Sequence, residues 1–159
     1  MGEFVDGILG VEEAKSLILT NISKLGSESI NIAEAYGRVL AEDLASRITQ
    51  PQNSVSAMDG YAVKAEDIEN VPVTLRMIGE SAAGQRFTGD LGTGETVRIF
   101  TGATLPNGAD SIVIQEDAEA IGDQVKLNET VSPGRYVRPR GLDFKEGQVL
   151  LKSGTILNS

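Results

Sequence analysis

Residues 56–63 read Ser-Ala-Met-Asp-Gly-Tyr-Ala-Val, and the class of fold is decided around them. Asp59-Gly60 is a strong turn dipeptide, and Tyr61 and Val63 open a strand with the two-residue alternation of a pleated chain. The same texture extends outward from Pro51 onward, where apolar runs are short and turn formers separate them. Candidate strands fall at 60–64, 73–78, 96–101, 111–115, 124–127 and 148–152. Between them stand Asp90-Leu91-Gly92, Pro106-Asn107-Gly108, Gly122-Asp123 and Ser132-Pro133-Gly134, all turn-forming combinations. The 18 glycines in 159 residues exceed the usual share of roughly 7%. Closely spaced strands with glycine turns predict a small barrel or sandwich-like lobe.

Toward the N-terminus the period changes. Val11, Ala14, Leu17 or Ile18, Ile22 and Leu25 recur at three- and four-residue steps, which predicts a helix stopped by Gly26. Glu12 and Glu13 suit the positive end of its dipole. A short strand is expected at 30–32 and a helical turn at 33–36 closed by Gly37, whereas 39–48 mixes both patterns. The expected organisation is a discontinuous first lobe, 1–50 with 141–159, and an inserted second lobe, 51–140. Residues 147–157 read as strand, turn and strand, and nothing after them closes the element, so the chain reads as part of something longer.

Composition excludes several chemistries. Hydrophobic residues at 40% and charged residues at 23% belong to a globular domain. With no cysteine and no histidine, disulfide scaffolds, zinc fingers, thiol catalysis and imidazole-based triads are excluded. A divalent ion would need oxygen ligands, as magnesium does. No apolar run approaches the roughly 20 residues of a membrane span, and there is no secretory leader, so a cytoplasmic location without membrane partners is expected. The net charge of −9 argues against nucleic acid. Yet residues 135–159 hold five basic and two acidic side chains, a stretch suited to an anionic ligand, an acidic neighbour or a solvated strand face.

Three clusters can carry chemistry. In the first, Asp59 is either a turn residue or a carboxylate presented at a strand mouth to a metal or substrate. In the second, Phe100-Thr101-Gly102-Ala103 and the loop Pro106-Asn107-Gly108-Ala109-Asp110 are either a glycine hairpin loop or a turn offering N–H groups and a hydroxyl to an oxyanion. In the third, Arg135, Arg138 and Arg140 match oxyanions, although Asp143 can pair with one of them instead. Singly, these support no more than a mostly β domain.

In order, they resemble the molybdopterin molybdenumtransferase family of MoeA and the gephyrin E domain. The resemblance rests on residues 56–63, then Thr101-Gly102-Ala103 with Pro106-Asn107-Gly108-Ala109-Asp110. It continues in Arg138-Pro139-Arg140-Gly141-Leu142-Asp143 with Gly147-Gln148-Val149-Leu150. Upstream, Gly37-Arg38-Val39-Leu40-Ala41-Glu42-Asp43 is similar too, so the likeness spans 11–157. One departure stands out: Asn53-Ser54-Val55 occupies the place where the family usually has Phe-Asp-Asn.

The resemblance implies an α+β, mostly β fold, an elongated α/β lobe with an inserted β-barrel-like lobe. It implies an enzyme that inserts molybdate into adenylylated molybdopterin and releases AMP with help from Mg2+. It further implies a homodimer whose cleft lies between the core domain of one subunit and the second lobe of its partner. The core domain and a C-terminal barrel would then lie beyond Ser159, and this N-terminal portion alone would be inactive. Carried over residue by residue, Asp59 would help position magnesium or molybdate, and Thr101 would hydrogen-bond a substrate oxyanion. Ser56, Gly102, Arg138 and Asp143 would line or support the substrate site. Gephyrin relatives imply an alternative, a non-catalytic assembly module, and composition alone permits an unrelated ligand-binding barrel.

Overall fold

The computed structural model describes residues 9–158. They form two compact units, one comprising residues up to Glu42 with those from Ser153 onward, the other Asp43–Lys152. From sequence, the boundaries are expected near Pro51 and Gly141. Here the segments flanking those positions group with the second unit, because Leu44–Ala45 and Val149–Leu151 pair with each other.

In the first unit, helix α1 spans Val11–Thr20, with Gly10 extended at its N-cap and Glu12 and Glu13 in its first turn. It ends before Gly26. Thr20 Oγ1 donates back to Ser16 O at 2.8 Å and Asn21 Nδ2 to Leu17 O at 3.0 Å. These side chains take over the last-turn carbonyls, and Asn21 caps the helix. No α1 residue is buried. The strand expected at 30–32 is absent. Asn31 Oδ1 instead accepts from Ala33 N at 3.0 Å and starts a short 3-10 turn, Ile32–Glu34. Beyond Gly37 the chain pairs with its later pass, Leu40 N donating to Thr155 O at 2.9 Å and Leu157 N to Arg38 O at 2.8 Å.

The second unit contains β1 (Leu44–Ala45), β2 (Val55–Ser56), β3 (Gly60–Val63), β4 (Val73–Ser81) and β5 (Glu95–Ile99). These are followed by β6 (Ser111–Ile114), β7 (Ala118–Ile121), β8 (Gln124–Leu127), β9 (Val137–Arg138) and β10 (Val149–Leu151). A six-stranded sheet runs in the order β6-β3-β5-β4-β8-β7 and curls into a half barrel. Its neighbours are antiparallel except β4 and β5, which run parallel. Two ribbons, β1 with β10 and β2 with β9, complete the strand pairing.

Strand alternation divides the sheet's apolar residues between two clusters. Tyr61, Val63, Leu75, Val113, Val125 and Leu127 gather with Ile68. Ala62, Val97, Ile99 and Ile112 gather with Leu91 and Ala103. Most of these are fully buried, and each large aliphatic side chain contributes roughly 1.5–3 kcal/mol by leaving water. Gly60 proves to be a strand residue, not part of a turn. A Cβ on it would lie 2.0 Å from Val113 O, so only glycine lets β6 approach β3 this closely. The turn comes just before it, and that places Asp59 at the mouth of a buried strand.

Candidate active site

Asp59 ends the bend that connects β2 to β3. Neighbouring segments pin the backbone of this bend. Ser56 N donates to Ala103 O at 2.9 Å, and Gly102 N returns a bond to Ser56 O at 2.8 Å. Ala57 N donates to Tyr136 O at 2.9 Å, and Gln115 N to Asp59 O at 3.1 Å. Tyr136 has a left-handed φ of 57°, a conformation costing a side-chain-bearing residue about 1 kcal/mol or more. Inside the bend, Ser56 Oγ donates to the Met58 carbonyl and accepts from Met58 N. Ser56 is 1% exposed. Its hydroxyl, expected from the sequence to line the substrate site, braces the bend from within.

Phe100 to Ala103 form a tight turn closed by Ala103 N donating to Phe100 O at 2.9 Å. Gly102 occupies its third position with φ +81°, as a type II turn requires. The turn faces Asp59. Thr101 N and Thr101 Oγ1 both donate to Asp59 Oδ1, each at 2.8 Å. With the Gly102 and Ala103 amides also spent, the turn's N–H groups serve the protein itself. The one hydroxyl proton of Thr101, expected from the sequence to meet a substrate oxyanion, is here given to the Asp59 carboxylate. What the hydroxyl retains is acceptor capacity.

The Asp59 carboxyl is held below its ordinary value, first by the Thr101 amide, then by the Thr101 hydroxyl, with a further contribution from the Arg98 charge. Desolvation opposes this shift. Asp59 is half-buried, and its second oxygen, Oδ2, accepts no hydrogen bond among the described residues. The bend thus presents an ionised carboxylate, gripped through one oxygen and open at the other.

Arg98, on β5, is a residue the sequence reading did not single out. Its guanidinium carbon lies 5.0 Å from the Tyr61 ring centroid and 4.9 Å from that of Phe100. Its Nη1 donates to Gly60 O at 3.2 Å and its Nη2 to Gln115 Oε1 at 2.6 Å.

The three arginines of the third cluster have separate partners. Arg138 pairs with Asp143 at 2.6 Å, and Arg140 Nε donates to Gln52 O at 3.0 Å. Arg135 stacks on the Tyr136 ring at 4.2 Å. Arg138 stands opposite Val55 in the β2–β9 ribbon, so the Arg138–Asp143 pair reaches the Asp59 bend through backbone pairing. Lys152 pairs with Asp43 at 2.7 Å, so part of the basic stretch meets acidic neighbours in its own unit. At the departure from the family pattern, Leu105 N donates to Ser54 O at 2.9 Å. Ser54 Oγ accepts from Arg140 N at 3.4 Å.

Among the described residues, no group of three or more His, Cys, Asp or Glu could hold a metal ion. Asp59 Oδ2 offers a single oxygen. That fits magnesium in its usual habit of one or two carboxylates, with waters and substrate phosphates filling the shell.

The sequence matches the MoeA N-terminal region, domains I and II, over residues 9–159. The chain belongs to the MoeA N-terminal-region family. It is 36% identical over 157 residues to the molybdopterin molybdenumtransferase of Nostoc, covering 94% of this chain and 36% of that protein. It is likewise 36% identical to the Haemophilus influenzae molybdopterin molybdenumtransferase, covering 94% of this chain and 37% of that one. Dictyostelium discoideum gephyrin is 32% identical, over 91% of this chain and 22% of its own length. The crystal structure of the Pyrococcus horikoshii MoeA protein superposes with a TM-score of 0.86 at 35% identity, covering 92% of this chain and 40% of that one. The chain therefore spans little more than a third of the transferases it matches. This MoeA region is mostly strand, as expected, and none of its described helices is long and apolar enough to cross a membrane.

Proposed function

We propose that this chain contributes one wall of the site at which molybdate is inserted into adenylylated molybdopterin with release of AMP. The observation that carries the reading is the Asp59 carboxylate, ionised, held by Thr101 through Oδ1 and open at Oδ2. A fixed carboxylate beside an anionic substrate repels it unless a cation or a donating water stands between them. In this reading Oδ2 meets molybdate through water or through magnesium, which when bound supplies positive charge to the oxyanions. Asp59 would be the residue of this chain that holds it. Gly102, with open space where a Cβ would stand, leaves the substrate room beside the turn. The Thr101 hydroxyl serves as an acceptor, and Arg138 with Asp143 both stiffens the ribbon behind the bend and sets the charge there. The opposite wall comes from a partner subunit of a cytoplasmic homodimer.

Preorganised charge of this kind is worth about a hundredfold or more in rate. In a MoeA transferase carrying this region, Asp59→Ala is expected to lower molybdenum insertion and AMP release by about that factor. Activity within about twofold of wild type would remove Asp59 from the mechanism. That outcome would favour the second reading, a non-catalytic assembly module, which is what the resemblance to gephyrin implies.

A further inference from the structure

We propose that Arg98 is a positioning residue of this site, acting on the Asp59 bend and not on a ligand, an inference that rests on the role given to Asp59 above. Two separate pieces of backbone meet at the Asp59 carboxylate, the start of β3 that carries it and the Phe100–Ala103 turn that grips it. Arg98 touches both. Its Nη1 bonds Gly60 O, the residue after Asp59, at 3.2 Å. The same guanidinium stacks 4.9 Å from the ring of Phe100, the residue before Thr101. Its Nη2 bonds Gln115 Oε1 at 2.6 Å, and Gln115 N in turn holds Asp59 O at 3.1 Å. The Tyr61 ring, directly across the strand pair, covers the cation at 5.0 Å.

One rigid planar group therefore fixes the spacing on which both Thr101–Asp59 hydrogen bonds depend. Its own donors go to a carbonyl and an amide oxygen, which leaves Asp59 Oδ2 for a substrate-side partner. Lysine carries the same charge, but it lacks the fork and the flat face that stack and donate together. The device is thus geometric, and charge alone does not reproduce it.

Amide hydrogen exchange on this chain, followed by NMR, tests the grip directly in wild type, Arg98→Met and Arg98→Lys. The Thr101 amide is expected to lose protection by about tenfold or more in both variants, while the amides of Val97 and Ile112 keep theirs. Unchanged protection at Thr101, full rescue by lysine, or an equal loss at all three amides would each overturn the proposal. A second arm uses a MoeA transferase. Arg98→Met should lower kcat by about tenfold alone and cause no further loss in an Asp59→Asn background. Additive losses would mean that Arg98 acts independently of Asp59. If Asp59→Asn itself leaves insertion unchanged, the reading of Asp59 fails, and the exchange arm alone decides whether Arg98 holds the bend.

Discussion

Thr101 gives both of its donors, amide and hydroxyl, to the same oxygen of Asp59, each at 2.8 Å. A carboxylate that accepts two such bonds is stabilised in its charged form, so its pKa falls. The folded value lies below the unfolded one. The stabilisation is therefore fully present above the ordinary aspartate range and is lost as pH falls through the lower folded value. At neutral pH Asp59 is an anion with or without the Thr101 hydroxyl. A carbon-detected NMR titration of the Asp59 carboxyl checks this. Wild type should titrate below the ordinary 3.8, and Thr101→Val, which keeps only the amide, should move partway back toward it. A wild-type midpoint at or above the ordinary value would mean that the paired hydrogen bonds are not made in solution.

Two glycines at this site are required for different reasons, and their alanine variants should separate the two. At Gly60 a Cβ would stand 2.0 Å from the Val113 carbonyl, so alanine must force β3 and β6 apart. The expected loss is about 3 kcal/mol or more in denaturant unfolding. At Gly102 there is open space but a φ of +81°, so alanine pays backbone strain alone, about 1–2 kcal/mol. A smaller loss at Gly60 than at Gly102 would contradict the close strand approach.

How much of this was legible in the sequence depended on which force dominates locally. β8 was read with its observed bounds because its burial strictly alternates, with Val125 and Leu127 in and Gln124 and Lys126 out. β7 was missed because Ala118-Glu119-Ala120-Ile121 is an edge strand with little burial and weak strand propensity, held in place by β8. The helix was drawn too long because apolar periodicity continues through Ile22 and Leu25. Asn21 stops it through a local side-chain bond that periodicity does not register. At the site, Asp59 and Thr101 stood out through their motifs, but their bond to each other joins residues 42 apart. The inward turn of the Ser56 hydroxyl depends on tertiary burial in the same way. Arg98 did offer one signal: it is a charged residue set between the buried Val97 and Ile99, with Phe100 two residues on.

Helix α1 makes a prediction about stability. It has 10 residues and none is buried, and isolated helices of that length are marginal in water. The sheet is held by side chains that are 0% exposed, among them Val97, Ile112, Val125 and Leu127. In this chain alone, the α1 amides should exchange at least about a hundredfold faster than those of β5, β6 and β8. Comparable protection in α1 would show that another surface covers it in solution.

The Arg138–Asp143 pair separates support of the fold from support of the site. Its side chains are 45% and 37% exposed at an N–O distance of 2.6 Å. An ion pair that open to solvent is worth about 0–1 kcal/mol, and added salt weakens it further. Arg138→Ala should therefore change unfolding free energy by no more than about 1 kcal/mol. Reversing the pair, Arg138→Asp with Asp143→Arg, should recover most of whatever stability is lost. In a MoeA transferase the same reversal should leave molybdenum insertion reduced by about tenfold or more, because it inverts the charge on the β9 strand paired to the ribbon that leads into the Asp59 bend. Insertion that recovers together with stability would confine Arg138 and Asp143 to a purely structural part.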